Sequence, residues 1–347
     1  MRFTNMPTLP CLASALALGL STGAMAQVAP GEPGHGSPSD QLAASDAAQA
    51  RSSVFVTSIL SQRFSPVTNA FSIPGAPGSG TAQGLAGGDA ALPDGWSIWS
   101  SVVGRHTENN FAPEEQSSDI WTLSMGADRA ISAMTTLGVS LTFSREDGDT
   151  AFGTGTKNAD SMYIAPYANF KLNDWLTADV SVGYGYTDSS QMRSPFGAPI
   201  SGSYDSQSLF GAANLTASKW NGPVLMSGVI GLSGSSTDRS SFVESDGTVN
   251  ASDTSELLQA RVGGTLGFWA EPMLPYVAAE YVYDLDYDRS TVPGAPNDRD
   301  EFRLTLGSHI YGKGDNQDVS GGLSITHAFG RDGKDDTSAN LSLRIAF

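Results

Sequence analysis

The feature that most constrains this chain is a strict two-residue alternation between Leu176 and Tyr186. Even positions in this stretch are apolar and odd positions are small or polar: Leu176, Ala178, Val180, Val182, Tyr184 and Tyr186 against Thr177, Asp179, Ser181, Gly183 and Gly185. Because successive side chains of a β-strand point to opposite faces, the stretch predicts a strand with one fully apolar face. The same split recurs along the chain from about Gly95 onwards.

Twelve such stretches are separated by turn residues, with predicted bounds of about 95–104, 118–129, 134–145, 158–171, 175–187, 206–218, 223–235, 255–269, 273–285, 301–310, 317–329 and 338–347. Each is long enough to cross a bilayer as a tilted strand, which takes about 9–11 residues. Connections after even-numbered strands are short, whereas most after odd-numbered strands are long, such as 188–205 and 236–254. Short turns at one end and long loops at the other are typical of an outer-membrane β-barrel, whose short turns face the periplasm.

A soluble β-sandwich or a lipocalin-like barrel is the alternative, because its strands also alternate. Such a fold needs a hydrated polar outer face on every strand. Here the polar face is rich in Gly, Ser and Thr with isolated charges, which suits a crowded, wet lumen better. We therefore predict an all-β membrane protein, in which residues 95–347 form a 12-stranded antiparallel transmembrane β-barrel.

The N-terminus predicts export. Residues 1–26 contain an apolar core at about 12–20 and end in the small-x-small pattern of a signal-peptide cleavage site, formed by Ala24, Ala26 and Gln27. Cys11, the only cysteine, lies within this segment. The mature chain is therefore predicted to hold no disulfide and no thiolate metal site.

Charge and residue content exclude several classes of function. The formal net charge of −17 argues against a nucleic-acid partner, which would be repelled. Among the four histidines, His309 follows Ser308 and would point to the opposite strand face, and His106 lies in an acidic loop. We expect no enzyme and no cofactor. The D-x-D-x-D run at 284–288 lacks the Gly and Glu of an EF-hand, so we interpret it as part of an acidic extracellular rim rather than a metal site.

Residues 27–94 read as a linker that contains one helix over about 38–64. Pro38 suits the first helical position and Pro66 ends the run. At 1.5 Å per residue the helix is roughly 40 Å long, enough to traverse a barrel. Its faces are small and polar rather than one clean apolar stripe. We predict that it is threaded in the lumen, with a periplasmic helix or linker as the alternative.

The charges predicted to face the lumen are Asp128, Lys171, Asp179, Arg261, Glu280, Arg303 and Arg344. The simplest interpretation is that they neutralise one another in a wet interior. The functional interpretation is that some of them pair with Arg51 or Arg63 of the helix, or that they tune ion selectivity.

The last strand runs to the chain end, with Leu341, Leu343, Ile345 and Phe347 on one face. This strand must pair with the first one to close the barrel and remove its edges. The stretch resembles the C-terminal signal of bacterial outer-membrane proteins, which the barrel assembly machinery reads. We expect that machinery, outer-membrane lipid and lipopolysaccharide as partners of a monomer.

Residues 95–347 as a whole resemble the translocator barrel of autotransporters. The resemblance rests on the twelve strands, the opening GWSIWSSVVG from Gly95 to Gly104, the preceding helix and the terminal Phe347. It implies a 12-stranded pore with a helix threaded through it, which helps its own passenger domain reach the surface of a Gram-negative cell. Only residues 27–94 precede the barrel, and they carry no repeats. The expected function is therefore a translocator without a sizeable passenger, with a small porin-like channel or a structural outer-membrane protein as the alternative.

Overall fold

The computed structural model describes residues 38–65, 96–110, 115–150, 155–194, 198–287, 298–312 and 319–346. These residues belong to one compact unit, Gly34–Phe347. Its elements are α1 Pro38–Arg63, β1 Trp96–Asn109, β2 Gln116–Ser132, β3 Thr135–Thr150, β4 Gly155–Lys171, β5 Leu176–Arg193, β6 Ile200–Asn221, β7 Val224–Arg239, β8 Phe242–Val243, β9 Val249–Asn250, β10 Asp253–Phe268, β11 Met273–Tyr287, β12 Asp300–Tyr311, β13 Val319–Phe329 and β14 Lys334–Ala346.

Twelve of these strands form a closed antiparallel barrel, so the predicted strand number and fold class are confirmed. Each strand pairs with its neighbours in chain order, and β10 follows β7 directly because β8 and β9 form a separate small hairpin. The barrel closes between β1 and β14, whose register runs from Ser97 opposite Ala346 to Asn109 opposite Lys334. Phe347 lies outside the described residues. We call the end that holds the short turns and the end of β14 the periplasmic end, and the other the extracellular end.

The two strand faces separate as the alternation predicts. Val180 and Val182 are 41% and 53% exposed on the barrel exterior, where lipid would cover them. Thr142 and Ser124 are buried on the interior face and hydrogen-bond to each other at 2.9 Å. Polar side chains are not needed on a lipid-facing exterior, because the strands pair with one another around the closed barrel.

Several predicted loops are wrong, because the strands extend further at the extracellular end. Residues 188–205 were expected to form a loop, yet the ladder between β5 and β6 continues through Asp188 opposite Asp205. The predicted loop 236–254 likewise contains the ends of β7 and β10 and the β8–β9 hairpin. Beyond the part of the barrel that lipid covers, a strand no longer needs one apolar face. Its backbone hydrogen bonds therefore continue although apolar and polar residues no longer alternate.

The β8–β9 hairpin folds back onto the neighbouring strands. Phe242 stacks on Tyr204 with ring centroids 4.9 Å apart, and Glu244 is buried against Arg193 in an ion pair. Part of the acidic extracellular rim is therefore buried and paired rather than solvated.

Helix α1 ends within one residue of its predicted bound. In the part of the chain that the structure describes, no helix has both the length and the apolar character needed to span a membrane.

Candidate functional site: a helix held in the barrel lumen

Helix α1 packs against the interior faces of β5, β6, β7 and β10. Hydrogen bonds connect it to different parts of the wall. Ser235 of β7 donates its hydroxyl to the carbonyl of Ala50 at 2.9 Å, and Asn214 of β6 donates to the hydroxyl of Ser61 at 2.8 Å. From β14, the amide of Asn340 donates to Gln62 at 2.9 Å. The helix therefore lies inside the lumen, with wall strands on more than one side of it.

The C-terminal turn of α1 is fixed at the periplasmic end by a buried ion pair. The Nη2 atom of Arg63 lies 2.9 Å from Oδ2 of Asp128 on β2 and 3.2 Å from the hydroxyl of Ser97. The hydroxyl of Tyr167 donates to Asp128 at 3.1 Å and accepts a hydrogen bond from Nε1 of Trp99 at 2.7 Å. This network satisfies the carboxylate and holds it in position, as a buried charge requires.

A second ion-pair cluster holds α1 near the extracellular end. Asp284 of β11 is completely buried, and Oδ2 lies 3.4 Å from Nη2 of Arg51 and 2.7 Å from Nη1 of Arg331. Gln259 donates a further hydrogen bond to Oδ1 at 2.7 Å, and Arg331 also pairs with Glu301 at 3.0 Å. Arg331 lies in the turn between β13 and β14. Burial alone would lower its pKa, but the hydrogen bonds to Asp284 and the charge of Glu301 raise it above its ordinary value.

The structure therefore corrects the interpretation of the D-x-D-x-D run as a solvated rim. Asp284 points into the lumen and bonds a helix arginine, while Asp286 lies opposite Leu258 beside a register shift in the ladder. Asp288 is outside the described residues. Among the residues that are described, no group of three or more His, Cys, Asp or Glu side chains is arranged to hold a metal ion.

The remaining predicted lumen charges pair mostly with one another. Arg261 lies 3.2 Å from Glu280, which is also 3.4 Å from Arg303. Asp179 accepts a hydrogen bond from Asn214 at 2.7 Å, and Asn214 accepts two from Arg261. Neither Asp179 nor Glu280 is within salt-bridge distance of a helix arginine in the described structure. Of the three acidic residues predicted to face the lumen, only Asp128 pairs with a helix arginine.

Two predicted lumen charges differ from this pattern. Lys171 lies at the periplasmic end of β4 and pairs with the exposed Asp174 in the following turn, at 3.1 Å. Arg344 of β14 is buried on the interior face. The assembly-signal residues Leu341, Leu343 and Ile345 point outward from the same strand. Three further predicted residues, Ala24, Ala26 and Gln27, lie outside the described residues.

Between its charged ends, α1 packs against an apolar cluster that the sequence interpretation missed. The helix contributes Val56, Ile59 and Leu60, and Phe64 follows directly after it. The wall contributes Trp99, Val103, Tyr163, Ala165, Tyr167 and Phe210. The interior is thus not lined by small polar residues alone. The sequence did indicate this cluster, because these aromatic residues occur on strand faces whose other residues are mostly Ser, Ala, Gly and Asn.

Glycines on the interior face make room for these rings. Tyr167 lies directly across the ladder from Gly138, and a Cβ atom added there would be 2.3 Å from its ring. Tyr163 covers Gly185 in the same way, again at 2.3 Å. Glycine here allows a ring to lie flat over the neighbouring strand.

Beside the helix, a cavity of about 240 Å³ remains, lined mainly by interior residues of β11–β14 and β1. The arrangement can therefore anchor a helix by charge at both ends and by apolar contact between them, while leaving a polar space along one side.

These features define a class, the transmembrane β-barrel with a helix held in its lumen. The profile of the autotransporter β-domain family matches residues 98–304, so the chain belongs to the autotransporter β-domain family. Barrels of this family lie in the Gram-negative outer membrane, which is therefore the location of this chain.

Solved structures with a similar fold include three autotransporter barrels. The translocator domain of NalP from Neisseria meningitidis superposes with a TM-score of 0.64 at 16% identity, covering 75% of this chain and 90% of that one. The β-domain of the Bordetella autotransporter BrkA gives 0.60 at 15% identity, with 73% and 99% covered. The transport unit of AIDA-I from Escherichia coli gives 0.55 at 15% identity, with 72% and 90% covered. A sequence search of curated proteins returned no match.

Proposed function

We propose that this chain is an autotransporter-type translocator whose own helix, α1, plugs the pore. The observation that carries the proposal is the fixation of α1 at two heights. Arg51 pairs with Asp284 near the extracellular end, and Arg63 pairs with Asp128 near the periplasmic end. A helix that only leaned against the barrel would not pair its arginines with buried carboxylates at both levels.

The direction of the helix supports the translocator role. Arg51 is the more N-terminal anchor, so α1 runs from the extracellular end towards the periplasmic end. That is the path expected of a chain whose N-terminal part has crossed the barrel.

Export and assembly complete the proposal. The chain would be delivered by a signal peptide cleaved after Ala26 and inserted by the barrel assembly machinery, which would read the outward-facing Leu341, Leu343 and Ile345 and the terminal Phe347. Lipopolysaccharide would contact the extracellular end. The monomer would act without catalysis, because holding and releasing a helix needs only the contacts described above.

The test is single-channel conductance of the refolded protein in planar bilayers. If α1 fills the lumen, the intact chain should conduct poorly, and a variant that lacks residues 38–64 should conduct several-fold better while still folding as a barrel. An unchanged conductance would contradict the plug and favour a porin-like channel.

Thiol labelling supplies a second readout on full-length protein. A cysteine at Ala50, which is buried against Ser235, should resist a large maleimide reagent. A cysteine at Ile131, exposed at the periplasmic end of β2, is the matched control and should react freely. Equal reactivity at both positions would show that the helix lies outside the barrel.

A further inference from the structure

Five arginines line the cavity beside α1: Arg63, Arg105, Arg261, Arg303 and Arg344. Four of them have a carboxylate within salt-bridge distance: Arg63 pairs with Asp128, Arg105 with Asp336 and Arg261 with Glu280. Arg303 pairs with both Glu280 and Glu301. Across the described ranges, Arg344 has no such partner. Among the described residues, the cavity therefore holds one guanidinium that has no carboxylate within salt-bridge distance.

Arg344 is also short of hydrogen bonds. It is 7% exposed, and its Nε and Nη1 atoms make no hydrogen bond within the described structure. Among charged side chains, Arg63 repels it and Asp128 attracts it. Asp128 already accepts hydrogen bonds from Arg63, Ser97 and Tyr167. A buried guanidinium without a counter-charge is unfavourable, so this position calls for an anion from outside the chain.

A second unpartnered polar atom lines the same space. His309 of β12 is 5% exposed, lines the cavity, and its Nε2 atom has no hydrogen-bond partner among the described residues. The imidazole lies within electrostatic range of Arg344. Ser320 lies directly across the ladder from Arg344 and adds a hydroxyl to the same lining. Three donors on the neighbouring strands β12, β13 and β14 thus line the periplasmic part of the cavity.

We propose that Arg344 and His309 form a binding site for a small oxyanion in the periplasmic half of the lumen. The planar guanidinium matches two oxygens of one anion, which a spherical halide cannot offer. In its neutral form the imidazole donates from Nε2 to a third oxygen, and Ser320 supplies a hydroxyl donor. Neither Arg344 nor His309 belongs to a helix anchor pair, so the site goes beyond the plugging function.

The experiment uses the full chain refolded in detergent and titrated with inorganic phosphate at constant ionic strength set by chloride. Isothermal titration calorimetry should show one saturable site per chain, since chloride does not displace the oxyanion. Arg344→Gln should weaken phosphate binding about tenfold or more, because a charged hydrogen-bond partner is lost. Arg145→Gln is the matched control, since Arg145 is an exposed arginine, and should bind as the parent does.

Two results would overturn the site. One is the absence of saturable phosphate binding to the parent chain. The other is an affinity of the Arg344→Gln variant equal to that of Arg145→Gln. If Arg344→Gln does not refold, His309→Ala decides the matter, since it keeps the arginine but removes a donor. Its affinity should fall several-fold, and an unchanged affinity would contradict the proposed geometry.

Discussion

The guanidinium of Arg63 lies 2.9 Å from the carboxylate of Asp128, joining the last turn of α1 to wall strand β2. Both side chains are buried, and Tyr167 donates a hydrogen bond to the same carboxylate. Breaking a buried pair by removing one partner leaves an uncompensated charge, which is far more costly than losing an exposed pair. The periplasmic anchor is therefore the contact whose loss should release the helix most readily.

Replacing Arg63 by Gln should lower the free energy of unfolding by about 3–5 kcal/mol, because Asp128 loses its buried counter-charge. The measurement is urea-induced unfolding in detergent. Arg145→Gln, which breaks only an exposed pair with Asp147, should cost no more than about 1 kcal/mol. The double variant R63Q/D128N should cost less than the sum of its two single changes. Strict additivity would show that the two charges do not interact.

Gly138 should tolerate no side chain. Alanine there would place its Cβ 2.3 Å from the ring of Tyr167 and displace the hydroxyl that supports Asp128. We expect Gly138→Ala to cost about 1–3 kcal/mol, as other overpacked sites do. Gly228→Ala is the control, since its Cβ would meet only the carbonyl of Gly263 at 3.7 Å. Equal unfolding free energies for the two variants would contradict the close ring–glycine contact.

Val180 and Ser181 are neighbours in β5 that face lipid and lumen respectively. Arginine at Val180 should cost about 2–4 kcal/mol, as a charge on the lipid face near the bilayer midplane does. Arginine at Ser181 should be tolerated much better, because the lumen is polar. Folding into liposomes, followed by denaturant titration, compares the two. A similar loss at both positions would show that the strand faces are assigned the wrong way round.

The seam between β1 and β14 predicts an assembly defect. Leu343 pairs with Ser100 across the seam and faces outward, so Leu343→Asp should leave the chain unassembled, as should deletion of Phe347. Ser342→Asp, which changes the neighbouring lumen-facing position, should assemble. Heat-modifiable barrel in outer-membrane fractions is the readout. Normal amounts of the Leu343→Asp barrel would show that the outer face of β14 is not part of the assembly signal.

The alternation around Val180 and Leu341 was enough to predict a twelve-stranded membrane barrel. That prediction succeeds because lipid on one side and a wet lumen on the other impose opposite chemistry on successive residues. The same signal fails at 188–205, where the strands rise above the apolar band and both faces are polar. Apolar and polar residues do not alternate there, although the backbone pairing of β5 with β6 continues.

The helix anchors, too, could be predicted from the sequence only in part. The sequence marks Arg51, Arg63 and Asp128 as charges that need partners, and helical rise and strand alternation place them near the lumen. It does not indicate that Arg51 bonds Asp284, because that depends on how deeply the helix lies and on a turn arginine, Arg331, that reaches back into the lumen.

By itself, then, the sequence determined which residues face lipid and that the first and last strands must pair. Both conclusions follow from local periodicity and from the need to satisfy the backbone groups in a bilayer. Only the tertiary structure decided which charges pair, which rings pack on α1 and why, among the described residues, Arg344 has no carboxylate within salt-bridge distance. Those contacts join residues as far apart as Arg51 and Asp284. Barrel closure and helix depth set their distances, and no local pattern encodes either one.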